Sequence, residues 1–279
     1  MNKGQLMTKE LKDQIVQKIR DWWTVNGGNG PAVIGISGGK DSSVVAALCV
    51  EALGKEKVLG VMMPNGEQKD ISDSKHLCRH LKIRNIGTNI QPMVIEFLES
   101  IHILNKELLK ENHFKPRADS SRYTTNIPPR IRMTMLYAIA QDLDGRVIGT
   151  GNASENFVGW NTYAGDSISD FNPIKNLFVD EVVELGKILK LPKSLVEKAP
   201  SDGLTGKTDE ENLGFTYADV KKVALKIPDW QMKDANDNSL IPFADIEAKH
   251  KATQFKRDII NVPGIEFYRD KNGRIVCAK

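Results

Sequence analysis

The sequence predicts an α/β fold in which a doubly wound parallel sheet is flanked by helices. Three short apolar runs, PAVIGIS (31–37), VLGVMMP (58–64) and KIRNI (82–86), alternate with stretches whose apolar residues recur at helical spacing. This alternation is typical of parallel strands joined by right-handed crossovers. The 279 residues include 40% hydrophobic side chains, enough for a sizeable core. We expect one domain over 1–279, with a helical C-terminal segment at about 243–279.

The N-terminal third supplies the first elements in order. Apolar residues from 11 to 23 recur at helical spacing and stop at the breaker NGGNG, so they predict an opening helix. After the first strand, Gly38-Gly39 predicts a turn, and the pattern from Ser42 to Leu53 predicts a helix that ends at Gly54. A further helix is expected at 72–81, between the second and third strands.

The middle of the chain is less regular. The polar, turn-rich stretch 110–129 predicts a long loop, and loops of this length in compact domains are often functional. Pro128-Pro129 predict the start of a helix that runs to about Asp142. RVIGTG (146–151) predicts a fourth strand that ends in a turn.

The C-terminal half alternates helices with polar connectors. NPIKNLF, which starts at Asn172, predicts the opening of a helix to about Leu189. The glycine-rich stretch 199–217 and the segment 227–242 predict connectors, and a last helix is expected from Phe243 to about Arg257.

Charge, cysteines and targeting signals exclude several classes. The 39 basic and 36 acidic side chains give a net charge of +3, too small for the dense basic surface that nucleic-acid binding usually needs. Cys49, Cys78 and Cys277 form no CxxC pair and no even-numbered framework, which fits a reducing cytoplasm. No secretory signal and no apolar run of about 18 residues occurs. We therefore expect neither nucleic acid nor a membrane as partner.

The sharpest motif is GISGGKDSS (35–43), placed where a strand passes into a helix. At such a junction the backbone N–H groups and the helix N-terminus bind anions, and the glycines allow a phosphate to approach. A Walker A loop is excluded because Ile34 stands at its first glycine position and Asp41 follows its lysine. An acid in a phosphate loop repels phosphate unless a divalent cation lies between them, so Asp41 is a candidate Mg²⁺ ligand.

The string SGGKDS resembles the SGGxDS signature of the ATP pyrophosphatases, an adenine nucleotide alpha-hydrolase-like group. Further strings are similar to the ammonia-dependent NAD synthetase family over nearly the whole chain. These strings are PPRIRM (128–133), VIGTGNASENFVGW (147–160), GDSISDFNPI (165–174), KAPSDGLTGKTDEENLGFTY (198–217) and FKR (255–257). The resemblance implies a ligase that adenylates the nicotinate carboxylate of deamido-NAD with MgATP. Ammonia then gives NAD, and AMP and pyrophosphate are released.

The resemblance also implies roles for individual residues. The ATP-binding residues would be Gly35, Ile36, Ser37, Gly38, Gly39, Lys40, Asp41, Ser42, Thr150 and Ser201. Asp41 and Glu155 would hold Mg²⁺ and form the catalytic pair, and this agrees with ligand binding at the C-terminal edge of a parallel sheet. Arg130, Asp170 and Lys256 would bind the dinucleotide. A homodimer is implied as well, and at this length no glutamine-hydrolysing domain is expected.

Some of these residues also have structural interpretations. Asn152 is a possible helix cap, with Glu155 favourable near the same helix start. The acids 209–211 resemble the loop that covers the family's site, yet Thr208 and Glu211 also match a capping box. Arg132 points away from Arg130 and favours a structural role.

Three positions depart from the family pattern. Tyr163 and Phe255 replace a lysine and a histidine on the substrate side. Val179 replaces a lysine expected to reach the ATP phosphates from the helix after NPI. Lys175, one helical turn earlier, is a hypothetical substitute. Because of these departures, an ATP pyrophosphatase that amidates a different carboxylate is a second interpretation, beside the NAD synthetase. A non-catalytic nucleotide-binding protein is the third.

His76, Cys78 and His80 suggest a metal site, since two histidines at i and i+4 share a helix face. Cys78 lies off that face and no further ligands are near in sequence. A packing or surface role is therefore favoured.

Overall fold

A four-stranded parallel sheet forms the centre of the protein. The computed structural model describes residues 7–68, 71–111, 121–197, 208–226, 242–259, 263–270, 273 and 275–277. The strands are β1 (Ala32–Gly35), β2 (Val58–Met62), β3 (Arg84–Gly87) and β4 (Arg146–Val147), in the spatial order β3-β2-β1-β4. All three pairings are parallel. The predicted parallel sheet is therefore confirmed.

The strand order sets the position of a ligand crevice. The chain runs outward from β1 to β2 and β3, and then returns to place β4 on the other side of β1. In open α/β sheets, ligands bind beyond the carboxyl ends of the strands where the order reverses in this way. The turns that follow β1 and β4 therefore meet at the expected crevice.

Helices cover both faces of the sheet. Their bounds are α1 Lys9–Asn26, α2 Lys40–Leu53, α3 Ile71–Leu81, α4 Gln91–Glu111, α5 Ser121–Asp142, α6 Ala153–Val158, α7 Val179–Ile188, α8 Lys193–Val196, α9 Asp209–Leu213, α10 Tyr217–Ala224, α11 Phe243–Ala252 and α12 Gln254–Ile259. Within β1, Ala32 and Ile34 pack in one core cluster and Val33 packs in a second. Both faces of the strand are thus buried, as the doubly wound prediction requires.

Two features of the middle region differ from the sequence prediction. Helix α4 has no counterpart among the predicted elements, and α5 begins at Ser121 with Pro128 and Pro129 inside it. Residues 121–129 are therefore helix rather than loop, while 112–120 lie outside the described residues. Ile127 is buried in the second core cluster, and this packing stabilises the turn upstream of the prolines.

The second half differs mainly in where its elements begin and end. Strand β4 has two residues instead of the predicted six, and α7 begins at Val179 rather than near Asn172. The side chain of Asn172 accepts from the Ile174 N–H and donates to the Gly151 carbonyl, which fixes a turn where the helix was expected. The predicted connector 199–217 contains α9, and the connector 227–242 lies almost wholly outside the described residues.

The predicted last helix is divided into α11 and α12 at Thr253. Thr253 packs so closely against Gly159 that a Cβ added to that glycine would lie 2.4 Å from the threonine Cβ. The C-terminal segment then forms an antiparallel pair, β5 (Phe267–Arg269) and β6 (Ile275–Cys277), instead of continuing as helix. No helix in the described ranges has both the length and the apolar character that a bilayer crossing requires.

Candidate functional site

The turn after β1 is shaped by its own hydroxyl groups. Gly38 has φ +87°, a conformation that favours glycine, and Gly39 precedes the first residue of α2. The Ser37 Oγ accepts from the Gly39 N–H at 3.2 Å, and the Ser42 Oγ donates to the Gly39 carbonyl at 3.2 Å. The first N–H groups of a helix have no partner inside it, so the start of α2 is a candidate anion-binding site.

Asp41 and Glu155, predicted as a pair, are brought together by one asparagine. Asn152, which is fully buried, donates from Nδ2 to Asp41 Oδ1 at 3.2 Å. Its own Oδ1 accepts from the N–H of Glu155 at 3.1 Å, and its N–H donates to Glu155 Oε2 at 3.0 Å. The predicted cap of α6 is confirmed, and the donation to Asp41 adds a role that the cap alone does not imply.

The electrostatics of the pair suit a divalent cation. Burial, together with the charge of Asp41, raises the pKa of Glu155 well above its usual value. Mg²⁺ prefers oxygen ligands and is usually held by one or two carboxylates with phosphate oxygens and water. Asp41 and Glu155 fit that donor set. In the described part of the chain, no group of three or more metal-binding side chains occurs.

A buried lysine lies in the same cluster. Lys40 is 4% exposed, and its Nζ lies 3.0 Å from Asp41 Oδ2. Burial acts to lower the pKa of Lys40, but the charges of Asp41 and Glu155 outweigh it, so the pKa is raised. The ammonium is therefore held in its charged form.

The acidic stretch at α9 serves both as a cap and as a neighbour of the site. Thr208 Oγ1 accepts from the Glu211 N–H and Glu211 Oε2 accepts from the Thr208 N–H, so the predicted capping box is confirmed. Asp209 is 5% exposed, and its charge acts on both Lys40 and Glu155. The Tyr217 hydroxyl donates to Asp209 Oδ2 at 3.1 Å, a contact that the sequence pattern did not reveal.

A second cluster gathers around residues 159–163. Lys256 Nζ donates to the carbonyl oxygens of Gly159 and Asn161, at 2.8 and 2.5 Å. Burial, together with the charges of Lys249 and Arg130, lowers the pKa of Lys256. Arg130 Nε donates to the Tyr163 carbonyl at 3.2 Å. Arg130 and Lys256, two of the predicted substrate residues, thus hold the same loop.

The two aromatic departures from the family pattern touch each other. The rings of Tyr163 and Phe255 lie 6.5 Å apart between centroids, with an interplanar angle of 48°. Phe255 is 53% exposed and directly precedes Lys256, while the Tyr163 carbonyl accepts from Arg130. The predicted substrate residues therefore lie near an aromatic pair where the family pattern has a lysine and a histidine.

The remaining predicted site residues have other surroundings. Asp170 Oδ2 accepts from the Val147 N–H at 2.8 Å, and its side chain also forms a hydrogen bond with the Tyr137 hydroxyl. Asp170 therefore holds β4 in place. Its contact with the substrate stays a prediction. Thr150 lies half-buried in the turn after β4. Ser201 lies outside the described residues.

The structure does not support the helical spacing on which the hypothesis about Lys175 and the missing lysine is based. Val179 is the first residue of α7, so Lys175 is not one helical turn away on the same helix. The Lys175 carbonyl accepts from Asn156 Nδ2 at 3.4 Å, which places its backbone beside α6.

Two structural interpretations agree with the packing. Arg132 Nε donates to the Met63 carbonyl at 2.9 Å, at the end of β2. Cys78 is 1% exposed, and burial raises the pKa of its thiol.

Comparisons with known proteins identify the family and the fold. The NAD synthase family model matches residues 9–259. The NH(3)-dependent NAD(+) synthetase of Pyrococcus horikoshii is 41% identical over 224 residues, which are 80% of this chain and 79% of that protein. The structure of NMN synthetase from Francisella tularensis has a TM-score of 0.75 at 32% identity, and the match covers 91% of this chain and 98% of that chain. The NH3-dependent NAD synthetase from Campylobacter jejuni shares the fold, with a TM-score of 0.70 at 24% identity over 92% of this chain and 99% of that chain.

Proposed function

The chain belongs to the NAD synthase family, and we propose that it catalyses the ammonia-dependent, ATP-dependent amidation of deamido-NAD to NAD. One observation carries the proposal: Asp41 and Glu155 are joined through Asn152 at the reversal point of the sheet, directly beside the glycine turn that is predicted to bind phosphate. This arrangement supports an enzyme that orients a nucleoside triphosphate.

In the first step, the nicotinate carboxylate attacks the α-phosphorus of ATP, and pyrophosphate leaves. The backbone N–H groups at the start of α2 would bind the phosphates as negative charge develops on the leaving group. Asp41 and Glu155 would hold Mg²⁺, which neutralises phosphate charge when bound. The product of this step is an acyl-adenylate.

In the second step, the lone pair of ammonia attacks the acyl carbon, AMP leaves, and one proton is released as the amide forms. Arg130 and Lys256 would position the substrate through the loop 159–163, because Arg130 donates to the Tyr163 carbonyl and Lys256 to the Asn161 carbonyl. Positioning of this kind turns a bimolecular attack into an effectively intramolecular one.

The direct experiment supplies the purified chain with ATP, Mg²⁺, ammonium and deamido-NAD. We expect NAD and AMP in equal amounts, measured by liquid chromatography. Asp41→Asn, which keeps the size of the side chain, should lower the rate by at least about a hundredfold. AMP without NAD, or full activity in Asp41→Asn, would contradict the proposal.

A second candidate substrate is the mononucleotide. The Francisella tularensis relative is an NMN synthetase and matches over 98% of its chain. In this chain, Tyr163 removes one cation that the family pattern places on the substrate side, and a mononucleotide brings one phosphate fewer than a dinucleotide. The same assay with nicotinate mononucleotide decides between them: the acceptor with the higher kcat/KM is the substrate.

We also propose that the enzyme is a homodimer that uses α4. Met93, Phe97, Leu104 and Leu108 lie at spacings that form one stripe on this helix, and they are 39, 49, 57 and 37% exposed. Exposed apolar stripes of this kind mark interaction surfaces. Light scattering should give twice 31.1 kDa for the wild type and 31.1 kDa for Phe97→Glu. Val25→Glu, on α1, is the matched control, since Val25 is 81% exposed outside the stripe.

A cytoplasmic location remains a proposal, supported by the three free cysteines, of which Cys49 and Cys78 are buried. Fractionation of the cells that produce the protein tests it.

A further inference from the structure

Lys40 combines burial with a place in the middle of the nucleotide turn. Its side chain is 4% exposed, and its ammonium lies 3.0 Å from Asp41 Oδ2. The charges of Glu155 and Asp209 also act on this ammonium. A buried cation is costly unless it is paired, so these carboxylates determine where Lys40 points.

In this arrangement Asp41 has both carboxylate oxygens engaged. Oδ2 faces Lys40, and Oδ1 accepts from Asn152 Nδ2 at 3.2 Å. Glu155 likewise uses Oε2 to accept from the Asn152 N–H. A divalent cation that takes Asp41 as a ligand must therefore share an oxygen that already has a partner. Of the two partners, Asn152 is fixed because its other groups cap α6. Lys40 is the partner that can move, since a lysine side chain has a flexible four-carbon stem.

Charge favours the same exchange. Asp41 and Glu155 carry two formal negative charges, and Lys40 balances one of them. Adding a divalent cation while the ammonium stays in place would bring two like charges to one carboxylate, and that repulsion is strong in a partly buried site. The ammonium and the metal thus compete for Asp41.

We propose that Lys40 is a resident counter-cation of the Asp41–Glu155 pair, which yields Asp41 to the incoming divalent cation and binds the ATP phosphates in exchange. The inference rests on the proposed function for the identity of the metal and of the nucleotide. The ATP phosphates would lie close to Lys40, because Lys40 is the first residue of α2 and the phosphates would bind at this end of the helix. The exchange would favour metal binding when phosphates are present to take the ammonium.

The test measures binding rather than turnover. Mn²⁺, a spectroscopic substitute for Mg²⁺, is titrated by electron paramagnetic resonance into the nucleotide-free protein. We expect Lys40→Met to bind Mn²⁺ about tenfold more tightly than the wild type, because the competing charge is gone. At saturating Mn²⁺, the same variant should bind ATP about tenfold more weakly, because the phosphates lose the ammonium that the metal releases from Asp41. A lysine with only a structural role would not move these two affinities in opposite directions.

Lys12→Met is the matched control. Lys12 is also buried, 6% exposed, and pairs with Asp13 and Glu51, but Glu51 lies near the far end of α2 from the site. This variant should leave both affinities unchanged. Lys40→Gln keeps a hydrogen-bond donor without the charge and should behave like Lys40→Met, which provides a second variant if the first does not fold.

Two results would overturn the inference. If both Lys40 variants fold and bind Mn²⁺ no more tightly than the wild type, Lys40 does not compete with the metal for Asp41. If Mn²⁺ binds more tightly but the ATP affinity at saturating Mn²⁺ is unchanged, Lys40 does not transfer to the phosphates. Failure of the proposed function is seen separately: if Asp41→Asn binds Mn²⁺ as the wild type does, the metal site itself is wrong.

Discussion

The Asn152 amide nitrogen donates a 3.2 Å hydrogen bond to Oδ1 of Asp41 and so joins the turn after β4 to the turn after β1 across 111 residues of chain. The same side chain caps α6 through its oxygen. One residue therefore sets both the start of the helix that carries Glu155 and the direction of Asp41. The two roles can be separated by mutation.

Asn152→Ser keeps an acceptor that can cap α6, but the shorter side chain cannot reach Asp41. We expect a melting temperature close to that of the wild type and a kcat/KM for ATP about tenfold lower, because Asp41 loses its fixed direction. Asn152→Ala should lose both cap and contact, and the missing cap alone costs about 1 kcal/mol. Wild-type kinetics in Asn152→Ser would show that this hydrogen bond does not position Asp41.

Glu155→Gln should separate stability from activity. Since the pKa of Glu155 is raised in the folded protein by burial and by Asp41, folding favours the protonated form. The metal-free wild type therefore loses stability as pH rises from the ordinary glutamate pKa through the raised one. Glutamine has no acidic proton to lose, and its side-chain oxygen can still accept from the Asn152 N–H. Near pH 8 we expect its melting temperature to be about 2–4 °C higher, and the difference should shrink near pH 5.

Calorimetry in a chelator measures this difference, and activity assays of Glu155→Gln should show the loss of turnover. Glu107→Gln, an exposed residue of α4 paired with Lys110, is the control and should change neither quantity. A lower melting temperature for Glu155→Gln near pH 8 would contradict the assigned direction of the pKa shift.

The Tyr163–Phe255 pair should control the preference between dinucleotide and mononucleotide. Tyr163→Lys adds back, beside Arg130, the cation of the family pattern, which can bind the second phosphate group that only the dinucleotide has. We expect the ratio of kcat/KM for deamido-NAD over nicotinate mononucleotide to rise about 3–10-fold. The double variant Tyr163→Lys with Phe255→His should raise it further, because the lysine then no longer packs against an apolar ring.

Tyr268→Lys is the matched control for added charge, since Tyr268 is 55% exposed on β5. An equal change in this control, or an unchanged ratio in Tyr163→Lys, would mean that the aromatic pair does not contact the nucleotide.

Two glycines of the turn after β4 should respond differently to alanine. A Cβ at Gly149 would lie 2.4 Å from the Ser169 Oγ, whereas a Cβ at Gly151 would meet nothing closer than 3.8 Å. Gly149→Ala should therefore lower the free energy of unfolding by about 1–3 kcal/mol, and Gly151→Ala by less than about 0.5 kcal/mol. Denaturant titration measures both. Equal stabilities would show that Ser169 moves aside freely.

The predictable part of the site is the part set by local sequence and by the geometry of parallel sheets. Gly38, Gly39 and Asp41 lie in a strand-turn-helix unit whose form follows from adjacent residues. The meeting of Asp41 with Glu155 follows from the rule that parallel strands end at one edge. Both expectations are confirmed.

The unpredicted part depends on contacts between distant segments. Pro128 would mark the start of a helix if the residues before it made no packing contacts. Ile127 is buried, and its packing stabilises the part of α5 that precedes the proline. Asn172 ends the predicted helix because its side chain bonds Gly151 in the turn after β4. Neither contact leaves a pattern in the neighbouring sequence.

The bonds from Lys256 to Gly159 and Asn161 can form only late in the synthesis of the chain. They span 97 and 95 residues, whereas every strand of the parallel sheet and Glu155 precede the loop that they hold. At about 5–20 residues per second, that loop leaves the ribosome roughly 5–20 s before its lysine does. In a nascent chain, the parallel sheet, Asp41 and Glu155 are therefore made first, and the bonds that hold the loop 159–163 are added only when most of the chain has been made.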